Sequence, residues 1–238
     1  GSLQLPDDAD AVFYTENGSL GWTVTSGDFD GDGKPDLALS EPSGDAVFVL
    51  STGALGRHRV EDLALATIRS HEERDDLTGS ELLTSTTGPA AGLFIRSRRT
   101  DLEQAGAIFI LEGPLIGDLD ARRDARLVLE YSAAVLGTTG TWVRPSPTDP
   151  WLLAVGTPGQ SQIPQSDLKG ALWLLSEDLH GTVVLNSQAL GEQAWCLRAH
   201  EVDMDWLTRD LLTGSLIERD RQNLVLSGQG GVVVLGWP

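Results

Sequence analysis

Apolar residues recur along this chain in short runs that alternate, or nearly alternate, with polar ones between turn signals. The run AVFVL ending at Leu50 has counterparts in AIFIL ending at Leu111, ALWLL ending at Leu175 and VVVL ending at Leu235. Each has a glycine shortly before it, and the spacing is about 60 residues. Upstream of each lies a second strand: DLALSEP at 36–42, GLFIRS at 92–97, WLLAVGTP at 151–158 and NLVLSG at 223–228. A third precedes that one, as WTVTS, SELLTS, AAVLGT and LTGSLI. Each unit opens on an extended segment: AVFYTE near 11–16, LATIRS near 65–70, RLVLEYS near 126–132 and AWCLRAH near 194–200. Turns fall at Asn17-Gly18, Pro42-Ser43-Gly44, Gly88-Pro89 and Pro158-Gly159, and no long helical stripe interrupts the strands. Segments 59–65 and 201–212 have room for a short helical turn in a loop.

A four-stranded unit repeated in tandem fits an all-β β-propeller, whose blades are antiparallel sheets around a channel. The expectation is one domain over residues 1–238 with four four-stranded blades, the repeats covering about 11–54, 65–115, 126–180 and 194–238. The last repeat stops after its third strand, at VVVLGWP, and would leave an open sheet edge, which is a liability. AVFYTE is the expected partner. Used within one chain it closes a four-bladed ring; the alternative is that two chains complete one another's last blade, a homodimer forming an eight-bladed ring.

Between WTVTS and DLALS lies DFDGDGKPD, with Asp28, Asp30, Asp32 and Asp36 in nine residues. So many like charges repel one another unless a cation sits among them. Alternate residues of a tightly curled segment point to one side. Asp28, Asp30 and Asp32 can thus converge on one ion while the Lys34 carbonyl and the Asp36 carboxylate complete an oxygen shell suited to calcium. Gly33 permits the sharp turn. An EF-hand is excluded, because its bidentate Glu would fall at Leu39, inside a strand.

Strand, calcium loop, strand, turn and the apolar AVFVL together resemble the FG-GAP repeat, in particular a blade of the propeller of integrin α subunits. The likeness is specific over residues 21–50, extends to LLAVGTP and GALWLL in the third unit, and elsewhere is one of strand pattern. It implies a non-enzymatic extracellular module that recognises proteins through loops on one face. In the other units the equivalent stretches, TSTTGPAAG, TTGTWVRPSPTDP and ERDRQ, have no alternating carboxylates, so one calcium ion is expected. Integrin propellers have seven blades, and this chain departs from them in blade number.

Composition narrows the partners. The 238 residues include 17 Lys plus Arg against 35 Asp plus Glu, a net charge of −18 that argues against nucleic acid or an anionic membrane surface. No apolar run is long enough to span a bilayer, and GSLQLPDDAD lacks the features of a signal peptide. Calcium sites of extracellular modules, with affinities of about 10⁻⁴ to 10⁻³ M, fill where calcium is millimolar, which favours an exported, secreted or cell-surface protein.

Little in the sequence suggests catalysis. His58, His71, His180 and His200 lie in different units, outside any zinc spacing, and read as solvated loop residues. Cys196, in AWCLRA, reads as a buried thiol. GDGKP fails as a phosphate loop, since Pro35 stands where Ser or Thr is needed. Glu201, Asp203 and Asp205 form an acidic cluster that reads as a solvated edge and is the only basis for a hydrolase. Trp142 and Trp151 flank VRPSPTDP, where two rings could stack on a sugar. A glycan-binding module is therefore the alternative to protein recognition. Trp22 and Trp173 fall within strands and are expected in the core.

Overall fold

The computed structural model describes residues 9–16, 18–70, 82–85, 92–97, 105–131, 139–158, 170–185, 194–198, 210–214, 223–228 and 231–235. Nearly all of them lie in strands or in the turns between strands, so the fold is all-β and propeller-like. The first sheet is antiparallel and contains β2 (Val24–Gly27), β3 (Asp36–Glu41), β4 (Ala46–Ser51) and β6 (Ala64–Arg69). The second repeats it with β7 (Leu82–Ser85), β8 (Gly92–Ser97), β9 (Ala105–Glu112) and β11 (Leu127–Tyr131). The third is formed by β12 (Thr139–Val143), β13 (Leu152–Pro158), β14 (Gly170–Ser176) and β16 (Ala194–Arg198). The fourth has three strands among the described residues, β17 (Asp210–Gly214), β18 (Asn223–Gly228) and β19 (Gly231–Leu235).

Four short strands lie outside that scheme. β1 (Ala11–Tyr14) pairs in parallel with β5 (Gly56–Arg59). β10 (Gly117–Asp120), which follows the second sheet's third strand, returns to pair in parallel with β6 of the first sheet. β15 (Gly181–Val184) likewise returns from the third sheet to β11 of the second. The sequence reading missed β5, β10 and β15. Their common signal is a glycine two residues after Ala54, Leu115 or Leu179, and Gly56, Gly117 and Gly181 all have positive φ, a conformation that favours glycine.

The cores lie between consecutive sheets. Because strand side chains alternate, Val47 and Val49 of β4 meet Leu93, Ile95 and Phe109 of the second sheet, whereas Phe48 and Leu50 face the other way. Phe94, Ile108 and Ile110 on the second sheet's far side pack on Leu153, Val155 and Trp173 of the third. Val143, Leu152 and Leu172 continue toward Leu224 of the fourth. Sheets buried on both faces explain the near-continuous apolar runs AVFVL and AIFIL. Between the first and second sheets, Thr25 Oγ1 and Thr84 Oγ1 lie 2.6 Å apart and bond the first strands to each other.

Several expectations are corrected. The expected first strand of the third unit, AAVLGT, lies outside the described residues, and the strand that pairs with β13 is Thr139–Val143. The first strand of the fourth is Asp210–Gly214, which begins two residues before the expected LTGSLI and overlaps it through Gly214. Trp22 is 70% exposed and lies just before β2 rather than in the core. Trp173 is buried as expected. One helical turn, α1 (Val60–Leu63), forms within the segment foreseen for it. Ring closure requires β1 beside β19. Among the described residues β1 is bonded to β5, and β19 to β18.

Candidate metal centre

The acidic loop joins β2 to β3, and its own backbone amides shape it. Asp28 Oδ1 accepts from Gly31 N at 2.9 Å and its Oδ2 from Gly33 N at 3.0 Å, curling the loop around the first carboxylate. Asp30 Oδ1 accepts from Asp32 N at 2.9 Å, and Asp32 Oδ1 from Lys34 N at 2.7 Å. Gly31 and Gly33 take φ of 82° and 83°, which side chains rarely adopt, so the glycines of DGDG are conformational requirements. The loop is anchored at its end as well, where Thr52 Oγ1 donates to the Pro35 carbonyl at 2.7 Å.

Asp36 stands at the base of the loop, 1% exposed, where its Oδ2 accepts from Phe29 N at 2.9 Å and Asp30 N at 3.1 Å. Phe29 sends its ring into the core between the first two sheets, and its carbonyl accepts from Leu115 N at 2.7 Å. A Cβ at Gly113 would lie 2.8 Å from that carbonyl oxygen, so the close approach of the second sheet's loop requires glycine there.

Carboxylate oxygens of Asp28, Asp30 and Asp36 all lie within 4.8 Å of one another. Burial pushes the Asp36 carboxyl above its ordinary value, and the charges of Asp30 and Asp32 push the same way, against the two amides it accepts from. A bound cation would reverse the effect of burial and relieve the repulsion. An all-oxygen donor set selects a hard cation such as calcium or magnesium, and the residues present fit one.

The Asp32 carboxylate is not part of that group. Lys34 Nζ donates to Asp32 Oδ2 at 2.9 Å, a solvent-exposed pair whose hydrogen bond lowers the pKa of Asp32 and raises that of Lys34.

The other candidates fare differently. Trp142 lies in β12 with its indole 2% exposed in the core between the second and third sheets, so it offers no face to a ligand. Trp151 is partly buried against the same core, with the Arg144 guanidinium 4.7 Å from its ring centre. His58 and His180 make local contacts, through Nε2 to the Leu55 carbonyl at 2.7 Å and through Nδ1 to the Asp178 carbonyl at 2.9 Å. Cys196 lies on β16 opposite Trp173. His71, His200, Glu201, Asp203 and Asp205 lie outside the described residues.

No curated protein and no solved structure gives a significant match to the chain. Residues 20–57, which run from the approach to β2 through the acidic loop to the start of β5, match the family model of the FG-GAP repeat.

Proposed function

We propose that this chain is a non-enzymatic binding module of the integrin-like propeller type, exported from the cell, whose first sheet is stabilised by one calcium ion. The observation that carries the reading is the convergence of Asp28, Asp30 and Asp36 oxygens on a loop that lies within the FG-GAP match. Asp28, Asp30 and Asp36 would supply carboxylate ligands. The Asp32 carboxylate, once released from Lys34, and the Lys34 carbonyl would add to them. The ion would supply positive charge at the base of β3 and no chemistry, while the amides of Phe29, Asp30, Gly31 and Gly33 donate to the Asp36 and Asp28 carboxylates that would hold it. Among the described residues no helix is long and apolar enough to cross a membrane. Export accords with a weak calcium site that fills only where the ion is abundant.

The partner is a protein recognised through loops at one end of the sheets. The glycan alternative loses one of its two rings to the core at Trp142 and rests on Trp151 alone. Titration calorimetry with calcium tests the proposal, with one ion per chain expected and saturable binding lost in Asp30→Ala. Heats that stay at the dilution level, or binding unchanged in Asp30→Ala, would refute it.

A further inference from the structure

We infer that the uncovered side of the first sheet docks the fourth sheet of a second copy of this chain, with β19 of one copy pairing antiparallel to β1 of the other. The inference stands on the strand repeat and is independent of calcium.

In the first two sheets the outer strand is bonded along both edges, β6 by β4 and β10, β11 by β9 and β15. β1 has the parallel partner in the same register: Ala11 faces Gly56 as Ala66 faces Gly117 and Leu127 faces Gly181. The packing repeats too. Phe13 occupies the position of Ile68 and Leu129. Those two lie in the cores toward the second and third sheets, and Phe13 packs on Leu39, Phe48 and Leu50 of the first. β1 therefore stands where the outer strand of a sheet preceding the first would stand. Its other edge has no ladder among the described residues.

Among the described residues, no further strand of such a preceding sheet lies on the face it would cover. Leu82 pairs with Ile95, Gly140 with Val155 and Val24 with Leu39, one position in three sheets. Leu82 is 4% exposed, and a Cβ on Gly140 would meet the Phe94 ring of the sheet before it at 3.6 Å. Val24 is 55% exposed and Trp22, two residues earlier, 70%. Phe13, Leu20 and α1 cover this face around Leu39, Phe48 and Leu50 and leave Val24 and Trp22 exposed.

The fourth sheet carries the complementary parts. Aligning Leu235 with Leu50 and Leu111 sets Val234 opposite Ala11, Val233 opposite Val12, Val232 opposite Phe13 and Gly231 opposite Tyr14. Val225, half-buried beside Val234, takes the place that Ala38 and Phe94 hold in the cores toward the next sheet.

The occupant is a second copy, because the chain's own fourth sheet leaves Val24 and Trp22 exposed and, among the described residues, β19 pairs with β18 alone. The new contact continues the series of sheet-on-sheet cores already present. Two copies related by a twofold axis satisfy both open edges at once. They give eight sheets, at the upper end of the roughly four to eight blades typical of propellers, whereas a third copy would require about twelve.

Light scattering on the full chain should return twice 25.5 kDa, with or without calcium. Val24→Glu places a charge at a residue that is solvated in the single chain and buried in the pair, so it should halve the mass while leaving a cooperative melt. In a Cys196→Ser background, Val12→Cys with Val233→Cys should form a disulfide between chains on oxidation, seen as a doubled mass on a non-reducing denaturing gel. A single-chain mass for the unaltered protein, a disulfide closed within one chain, or a dimer indifferent to Val24→Glu would each overturn the inference.

Discussion

The Phe29 amide donates to Asp36 Oδ2 at 2.9 Å, while the Phe29 ring, 1% exposed, fills the core between the first and second sheets. The residue that orients the buried carboxylate is thus also a packing element of the joint between two sheets. An ion held by Asp28, Asp30 and Asp36 would act on that joint through one peptide unit.

Calcium should therefore raise thermal stability. A ligand at about 100 times its dissociation constant adds roughly 2.7 kcal/mol, and for a chain of this size that is a rise in Tm of about 5–10 °C. Asp30→Ala should remove the rise and leave the melt in chelator nearly unchanged, since the lost Asp30 acceptor lies on an exposed loop. Melts of both proteins with and without calcium decide the matter. Equal losses in the two conditions would mean that the loop holds no ion.

The same site should respond to pH. In the metal-free protein the Asp36 pKa is raised, first by burial, so its favourable contribution is complete below the ordinary carboxylate value of 3.8 and fades as pH rises through the folded-state value. Calcium must displace that proton, and its affinity should fall as the pH is lowered through the same window. Asp36→Asn in chelator should then be less destabilising near neutral pH than near pH 4, a comparison made by urea melts at the two pH values.

Gly27 should tolerate no Cβ. One added there would sit 2.7 Å from Thr84 Cγ2 and 3.1 Å from the Phe29 ring. The Thr84 hydroxyl is engaged with Thr25, which limits its freedom to turn away. Gly27→Ala is expected to cost about 1–3 kcal/mol by overpacking. Adding Thr84→Ser removes the methyl and keeps the hydroxyl, so a denaturant-melt double-mutant cycle should show partial recovery. Additive losses would place the strain elsewhere.

Thr15 should matter beyond its size. Its Oγ1 donates to Glu41 Oε1 at 2.5 Å, both residues being buried, and the bond ties the segment after β1 to the first sheet. Thr15→Val keeps the volume and strands the Glu41 oxygen, at an expected cost of about 1–3 kcal/mol, whereas Thr15→Ser should be nearly neutral. Equilibrium denaturation of the two variants separates hydrogen bonding from packing.

How much of this was legible in the sequence follows from what leaves a pattern. Strands such as Ala46–Ser51 and Gly92–Ser97 are buried on both faces, so they print continuous apolar runs, and the loop at Asp28 prints its chemistry in its spacing. β5, β10 and β15, reading GRHR, GDLD and GTVV, are held by backbone bonds to β1, β6 and β11, and their largely exposed side chains form no apolar stripe. Trp22 alternates with Val24 as a core residue would. Whether that side of a sheet is covered depends on a distant element, which local alternation does not record. Trp142 follows a related logic: AAVLGT has the more apolar pattern and so makes TGTWV look like a loop, although TGTWV pairs with Leu152 to Gly156.

The returning strands β10 and β15 change how the molecule comes apart. The second and third sheets each lend a strand to the sheet before, so removing either also strips the outer edge of its predecessor. Stability in such an array resides in the joints between neighbours as much as in the members, and unfolding should spread backward along the chain. Hydrogen exchange should accordingly find the amides of β6 and β11 losing protection together with β10 and β15, as cooperative groups that straddle the boundaries a reader of the sequence would draw.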